Sequence, residues 1–119
     1  MGVLYLVSTP IGNLGDITYR AVRTLKDVYL IAAEDTRQSK KLLNYYKIET
    51  KMISYFEYNR NIRIPFLINK LSNGLNIAII TDAGTPGISD PAYKLIRSAI
   101  GAGVRIESIP GPSALLAAL

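Results

Sequence analysis

The sequence predicts an α/β domain: an open, mostly parallel five-stranded sheet with helices on both faces. Three observations predict it. Short apolar runs of strand length alternate with segments of helical period along the whole chain. The most apolar runs, Val3 to Ser8 and Asn76 to Thr81, read as strands buried on both faces. With 119 residues, 49% of them hydrophobic and 19% charged, the chain has enough apolar material for one domain core.

The elements follow in order. Val3 to Ser8 is the first strand, and TPIGNLGD after it is a loop. Asp16 or Thr18 can cap a helix to about Asp27, with Ala21, Val22, Leu25 and Val28 on one face. Tyr29 to Ala33 is the second strand, ended by Glu34-Asp35-Thr36. Thr36 can cap a helix through Leu42, Leu43 and Tyr46. Lys51 to Phe56 is a weaker third strand. A helix then runs to about Ser72, where Pro65 suits its first turn or kinks it and Gly74 stops it. Asn76 to Thr81 is the fourth strand. Asp90-Pro91 starts a helix closed at Gly101 or Gly103, and Arg105 to Ile109 is the fifth strand. Pro112-Ser113 opens a last helix. Its end on LLAAL, without a polar tail, gives the expectation that residues 1–119 are an N-terminal domain whose second half is absent.

Composition excludes several chemistries. The chain has no Cys, so thiolate nucleophiles, disulfides and Cys-type zinc sites are out. It has no His, which removes the usual general base and the commonest metal ligand. No metal is expected. No apolar run approaches the ~20 residues of a membrane span, and the N-terminus lacks a basic signal-peptide region. The expected compartment is the cytoplasm.

In open α/β sheets, ligands bind beyond the carboxyl ends of the strands. There the predicted strands deliver Thr9 to Asn13, Glu34 to Arg37, Asp82 to Asp90 and Pro110 to Ser113. Three of these loops are rich in Gly and Pro, which allow close backbone approach and fix its course. α/β connections need such residues anyway, but three of them on one sheet edge favour a binding crevice. Neither a dinucleotide-binding nor a P-loop glycine pattern is present. The three Gly/Pro loops hold no Lys or Arg, only Asp16, Asp82 and Asp90. That charge balance disfavours a phosphate-rich cofactor and suits a sulfonium, as in S-adenosylmethionine. With no His, the candidates for a catalytic base are Glu34, Asp35 and Asp82. Asp35 has a second reading as a helix cap, and Asp82 as a holder of its own loop.

Charge is concentrated. Between residues 37 and 63, Arg37, Lys40, Lys41, Lys47, Lys51, Arg60 and Arg63 face only Glu49 and Glu57, a net of +5 that equals the charge of the whole chain. Tyr45, Tyr46, Tyr55, Phe56 and Tyr58 lie in the same window. Cations attract phosphates and aromatic faces stack on unpaired bases, so the window reads as an RNA-facing stretch. Arg37, Lys40, Lys41, Tyr58, Arg60 and Arg63 are the candidate RNA contacts. A solvated lysine-rich surface is the competing reading.

Four segments together resemble the tetrapyrrole (corrin/porphyrin) methylase family: Thr9 to Asp16, Ala33 to Arg37, Thr81 to Pro91 and Ile109 to Ala114. Asp82 to Pro91 resembles in particular the branch that methylates a ribose of small-subunit ribosomal RNA. The resemblance implies the N-terminal half of a two-domain methyltransferase, usually a homodimer, with S-adenosylmethionine between the halves. It implies cofactor contacts from Pro10, Ile11, Gly12, Gly84, Thr85, Pro86, Ile88, Ser113 and Ala114. The implied product is a 2′-O-methylated cytidine. One departure is visible. The family often has His-Glu-His-Asn after the third strand, and here the residues are Phe56-Glu57-Tyr58-Asn59. A tetrapyrrole methylase of the same fold and a non-enzymatic RNA-binding module are the alternatives. The basic-aromatic window argues against the first, and the ligand loops argue against the second.

Overall fold

A computed structural model of the chain describes residues 1–9, 15, 17–82 and 90–109. Among the described residues five strands and four helices alternate: β1 (Val3–Thr9), α1 (Tyr19–Asp27), β2 (Leu30–Ala33), α2 (Thr36–Tyr45), β3 (Met52–Ser54), α3 (Arg60–Ser72), β4 (Ile77–Asp82), α4 (Asp90–Gly101) and β5 (Arg105–Ile109). The strands form one sheet in the order β3-β2-β4-β1-β5, and every described pair is parallel. The expected α/β architecture is therefore present. The helix expected after Pro112 lies outside the described residues.

Alternation along the strands sorts the core into two layers. Leu4, Leu30, Ala32, Ile77 and Ile79 face α3 and α4, where Leu67, Leu71, Ala92, Leu95 and Ala99 cover them. Val7, Ile31, Ala78 and Ile109 point the other way, against Ala21 and Leu25 of α1 and Leu42 and Leu43 of α2. Successive residues of a strand take opposite faces, which is why these strands read as unbroken apolar runs.

Local chemistry sets the element boundaries. Thr18, rather than Asp16, caps α1, accepting from the Ala21 N–H at 3.1 Å. Asp35, not Thr36, caps α2: its Oδ1 accepts from the Gln38 N–H at 3.0 Å. Both residue types cap well, and the helix starts one residue before the Thr36 cap would allow. Pro65 sits at the sixth position of α3, beyond the first turn, where its missing N–H leaves one helical bond unmade. Gly74, with φ +90, follows α3 in the left-handed conformation that glycine tolerates. β1 is anchored at its start, where the Val3 N–H donates to the Asn76 Oδ1 at 2.9 Å. Gly2 has no room for a side chain, since a Cβ there would lie 1.9 Å from the Leu75 carbonyl oxygen.

Candidate functional site

The strand order creates a switch point. β1 and β4 are neighbours in register, with Thr9 opposite Asp82 at their carboxyl ends. After β1 the chain leaves toward α1 on one face; after β4 it leaves toward α4 on the opposite face. Where onward connections diverge between adjacent parallel strands, a crevice opens at the sheet's carboxyl edge. The stretches that follow β1 and β4 along the chain are 10–16 and 83–89, the Gly/Pro loops singled out in the sequence. Two threonines bind these strands together beyond the ladder. The Thr9 Oγ1 donates to the Thr81 carbonyl at 3.2 Å, and the Thr81 Oγ1 donates to the Val7 carbonyl at 3.4 Å.

The nine residues expected to contact a cofactor, Pro10, Ile11, Gly12, Gly84, Thr85, Pro86, Ile88, Ser113 and Ala114, lie outside the described residues. The strands from which the first seven emerge are described, and they are β1 and β4.

The three candidate carboxylates emerge from β2 and β4, which are hydrogen-bonded neighbours with Ala32 opposite Ile79. Glu34 follows the last residue of β2 and is exposed. Asp82 ends β4. Asp35 is committed to the cap of α2, the second of its two sequence readings. Asp35→Ala is expected to cost about 1 kcal/mol of stability, whereas Asp35→Asn, an equally good cap, stays within a few tenths. Urea midpoints of the two variants check this pair.

The candidate RNA contacts divide into two groups. Arg37, Lys40 and Lys41 are exposed on α2, at the helical spacing that also exposes Asn44 and Tyr45. Their charges face water. Arg60 and Arg63 are partly buried and engaged within the chain. Arg60 pairs with Glu57, and Arg63 donates from Nε to the Ser54 carbonyl at 2.9 Å. Tyr58 is 92% exposed. The two groups leave adjacent strands side by side, because Ala33 pairs with Ser54 and the Tyr55 N–H donates to the Ala33 carbonyl at 2.9 Å.

Two residues of this edge take roles that the sequence reading did not give them, and Tyr55, counted there among the aromatics of the RNA-facing window, is buried in the core and unavailable to a base. Tyr55 is fully buried among Leu4, Leu30, Leu67 and Ile79, and its hydroxyl donates to the Pro91 carbonyl in the first turn of α4. It thus ties the exit of β3 to the point where the chain re-enters after 83–89. Burial pushes its phenol up to about 12, with the nearby Arg60 charge opposing that rise and the Glu34 charge adding to it. Asn59 clips the turn that follows. Its Oδ1 accepts from the Phe56 N–H at 2.8 Å, and its Nδ2 donates to the Ser54 Oγ at 3.0 Å. The Glu57-Tyr58-Asn59 run after a strand signals a turn, but nothing in it shows which side chain closes the turn.

Among the described residues, no group of His, Cys, Asp or Glu could hold a metal ion, and no helix is long and apolar enough to cross a membrane.

This architecture, an all-parallel sheet in the order β3-β2-β4-β1-β5 with helices on both faces, is shared with solved structures. The chain superimposes on a uroporphyrin-III-C-methyltransferase from Thermus thermophilus with a TM-score of 0.69 and 19% identity, covering 98% of this chain and 52% of that one. It superimposes on a diphthine synthase with a TM-score of 0.73 and 13% identity, covering 94% and 45%. These likenesses show the fold. The sequence profile of the tetrapyrrole (corrin/porphyrin) methylases matches residues 3–119, and the chain belongs to that family.

Within it, the chain is 56% identical over 119 residues to the ribosomal RNA small subunit methyltransferase I of Synechocystis sp., covering all of this chain and 43% of that protein. It is 55% identical over 118 residues to the protein of the same name from Halalkalibacterium halodurans, covering 99% and 41%. The chain thus spans less than half the length of these relatives.

Proposed function

We propose that this chain is the N-terminal part of a two-domain, S-adenosylmethionine-dependent methyltransferase that methylates the 2′-oxygen of a cytidine in small-subunit ribosomal RNA. The observation that carries the reading is the β1/β4 switch point, flanked by cation-free Gly/Pro loops, in a chain more than half identical to proteins named as ribosomal RNA methyltransferases. The reading includes a homodimer acting in the cytoplasm, where the small subunit is assembled.

The charge balance of the sequence at the carboxyl edge supports a sulfonium. Glu34 and Asp82 stand at the ends of the neighbouring strands β2 and β4, and the Gly/Pro loop sequences contain no Lys or Arg. A carboxylate ~4 Å from a cationic sulfur stabilises it by a few kcal/mol at intermediate dielectric. S-adenosylmethionine, when bound, supplies an electrophilic methyl carbon. The remaining work belongs to the protein. Backbone groups of the 10–16 and 83–89 loops hold the cofactor, and alignment of hydroxyl, carbon and sulfur provides most of the acceleration. Glu34 or Asp82 takes the ribose proton in this scheme, in which Asp35 serves as the cap of α2. Asp35→Asn therefore retains activity in this scheme. Arg37, Lys40 and Lys41 hold RNA phosphates at the mouth of the crevice.

Calorimetric titration of the full-length protein with S-adenosylmethionine, followed by mass mapping of methyl groups on treated small-subunit RNA, tests the reading. A methylated cytidine ribose is the expected result. Methylation of a tetrapyrrole instead, or no cofactor binding, overturns it. Lys40→Ala with Lys41→Ala is expected to flatten the salt dependence of RNA binding by roughly 0.7 to 0.9 log units for each lost phosphate contact. Cofactor affinity stays unchanged. An unaltered slope would show that this face of α2 is only a solvated surface.

A further inference from the structure

The turn after β3 carries two aromatic rings into water. Tyr58 is 92% exposed and Phe56 is 37% exposed. Their ring centroids lie 6.2 Å apart with planes at 70°, an edge-to-face pair. Phe56 keeps about a third of its surface in water, whereas Tyr58 stays almost wholly solvated and gains little from folding, yet the backbone beneath both is tied by side-chain hydrogen bonds. The Asn59 side chain bonds to both Phe56 and Ser54. Arg63 donates to the Ser54 carbonyl, and the Asn59 N–H donates to the Phe56 carbonyl at 3.1 Å. Glu57, the one carboxylate of the turn, is paired with Arg60. Fully buried Tyr55 anchors the turn from below. The pair is thus preorganised, locally neutral and beside the exposed cations of α2.

We infer that Phe56 and Tyr58 form a stacking platform for an unpaired base of the RNA, flanking the acceptor ribose. An exposed aromatic face on a rigid turn, beside cations that hold phosphate, is what a splayed single-stranded base stacks on. Position argues for a flanking base. β3 stands two places from β4 in the sheet, so the turn lies about 10 Å from the end of β4 at ordinary strand spacing. That is too far for one nucleotide's base to stack while its ribose enters the crevice, and suitable for its neighbour. Duplex RNA, whose bases are stacked and paired, cannot use the platform. The inference rests on the reading that RNA is the substrate, and it adds the means by which unpaired RNA is chosen.

The test uses the full-length protein and a short fluorescein-labelled cytidine-containing oligoribonucleotide, single-stranded or annealed to its complement. Tyr58→Ala is expected to weaken single-strand binding about 5- to 150-fold, the worth of one stacked base, and to leave duplex binding unchanged. Tyr58→Trp is expected to retain the affinity. These 119 residues contain no Trp, so the difference in emission between Tyr58→Trp and wild type reports the introduced indole, and single strands should quench that difference while duplexes do not. An oligoribonucleotide with one abasic position beside the acceptor cytidine should bind wild type and Tyr58→Ala equally. Equal single-strand affinity of wild type and Tyr58→Ala, or a Trp variant as weak as the Ala variant, overturns the platform. Absence of ribose methylation by wild type, with the binding pattern intact, would instead sink the proposed reaction and leave the platform standing.

Discussion

Tyr55→Phe is expected to weaken the protein near neutral pH and to strengthen it, relative to wild type, in strong alkali. The phenol is fully buried and donates to the Pro91 carbonyl. Phe keeps the ring and its packing against Leu4, Leu67 and Ile79. It loses one hydrogen bond, which costs about 1 kcal/mol. The alkaline effect has the opposite sign. Burial raises the folded-state phenol from its ordinary 10 to about 12. Below pH 10, both states of the wild type keep the proton. Between 10 and 12, the unfolded chain releases it while the folded chain must hold it, so stability falls as pH rises. The fall approaches about 1.4 kcal/mol per pH unit, or roughly 2–3 kcal/mol across the window. The Phe variant has no such proton to lose. Every other ionisable group is common to the two proteins and cancels in the difference. Urea midpoints at pH 7, 9, 11 and 12 should show the two proteins crossing above pH 10. Parallel curves with no crossing would mean that the folded state does not hold the phenol proton.

That phenol marks where the sequence stops being legible. The alternation of apolar runs with helical segments located every described strand and helix, and β5 falls on Arg105–Ile109 as expected, because a two-sided core imposes that pattern directly. At the carboxyl edge, the ends of β1 and β4 fall where the apolar runs place them, while most of the Gly/Pro stretches after them, 10–14, 16 and 83–89, lie outside the described residues. Identities of single partners were not legible. Asp35 and Thr36 are both good caps, and only the start of α2 decides between them. Arg63 reads as a free cation until β3 brings Ser54, nine residues earlier, under its guanidinium. Tyr55 lies at the end of a weak three-residue strand, and its partner is 36 residues away. Its burial depends on α3 and α4 packing side by side over the sheet, a property of the tertiary arrangement that no local period encodes.

The cofactor reading predicts a larger effect at Thr85, in the stretch between β4 and α4. Thr85→Lys in the full-length protein is expected to lower S-adenosylmethionine affinity by two orders of magnitude or more. If the sulfonium lies beside this loop, an ammonium about 5 Å away repels it by roughly 3 kcal/mol at an effective dielectric near 20, a factor of over a hundred in dissociation constant. Thr85→Met adds similar length without charge and separates repulsion from bulk. The Met variant should lose much less affinity than the Lys variant. The fold should survive both changes. β4 is paired on both sides by β1 and β2, and α4 is fixed by buried Ala92, Leu95 and Ala99 and by the Tyr55 bond to Pro91. Melting temperatures of the two variants should therefore lie close to that of wild type. Binding of single-stranded oligoribonucleotide should also be unchanged, since the cations of α2 and the aromatic turn follow other strands, β2 and β3. Calorimetry with S-adenosylmethionine reads the outcome. Normal affinity in Thr85→Lys removes the β4–α4 loop from the cofactor site. Equal losses in the Lys and Met variants would keep the loop in the site but assign the selectivity to space, leaving the sulfonium's charge to be met elsewhere along the carboxyl edge.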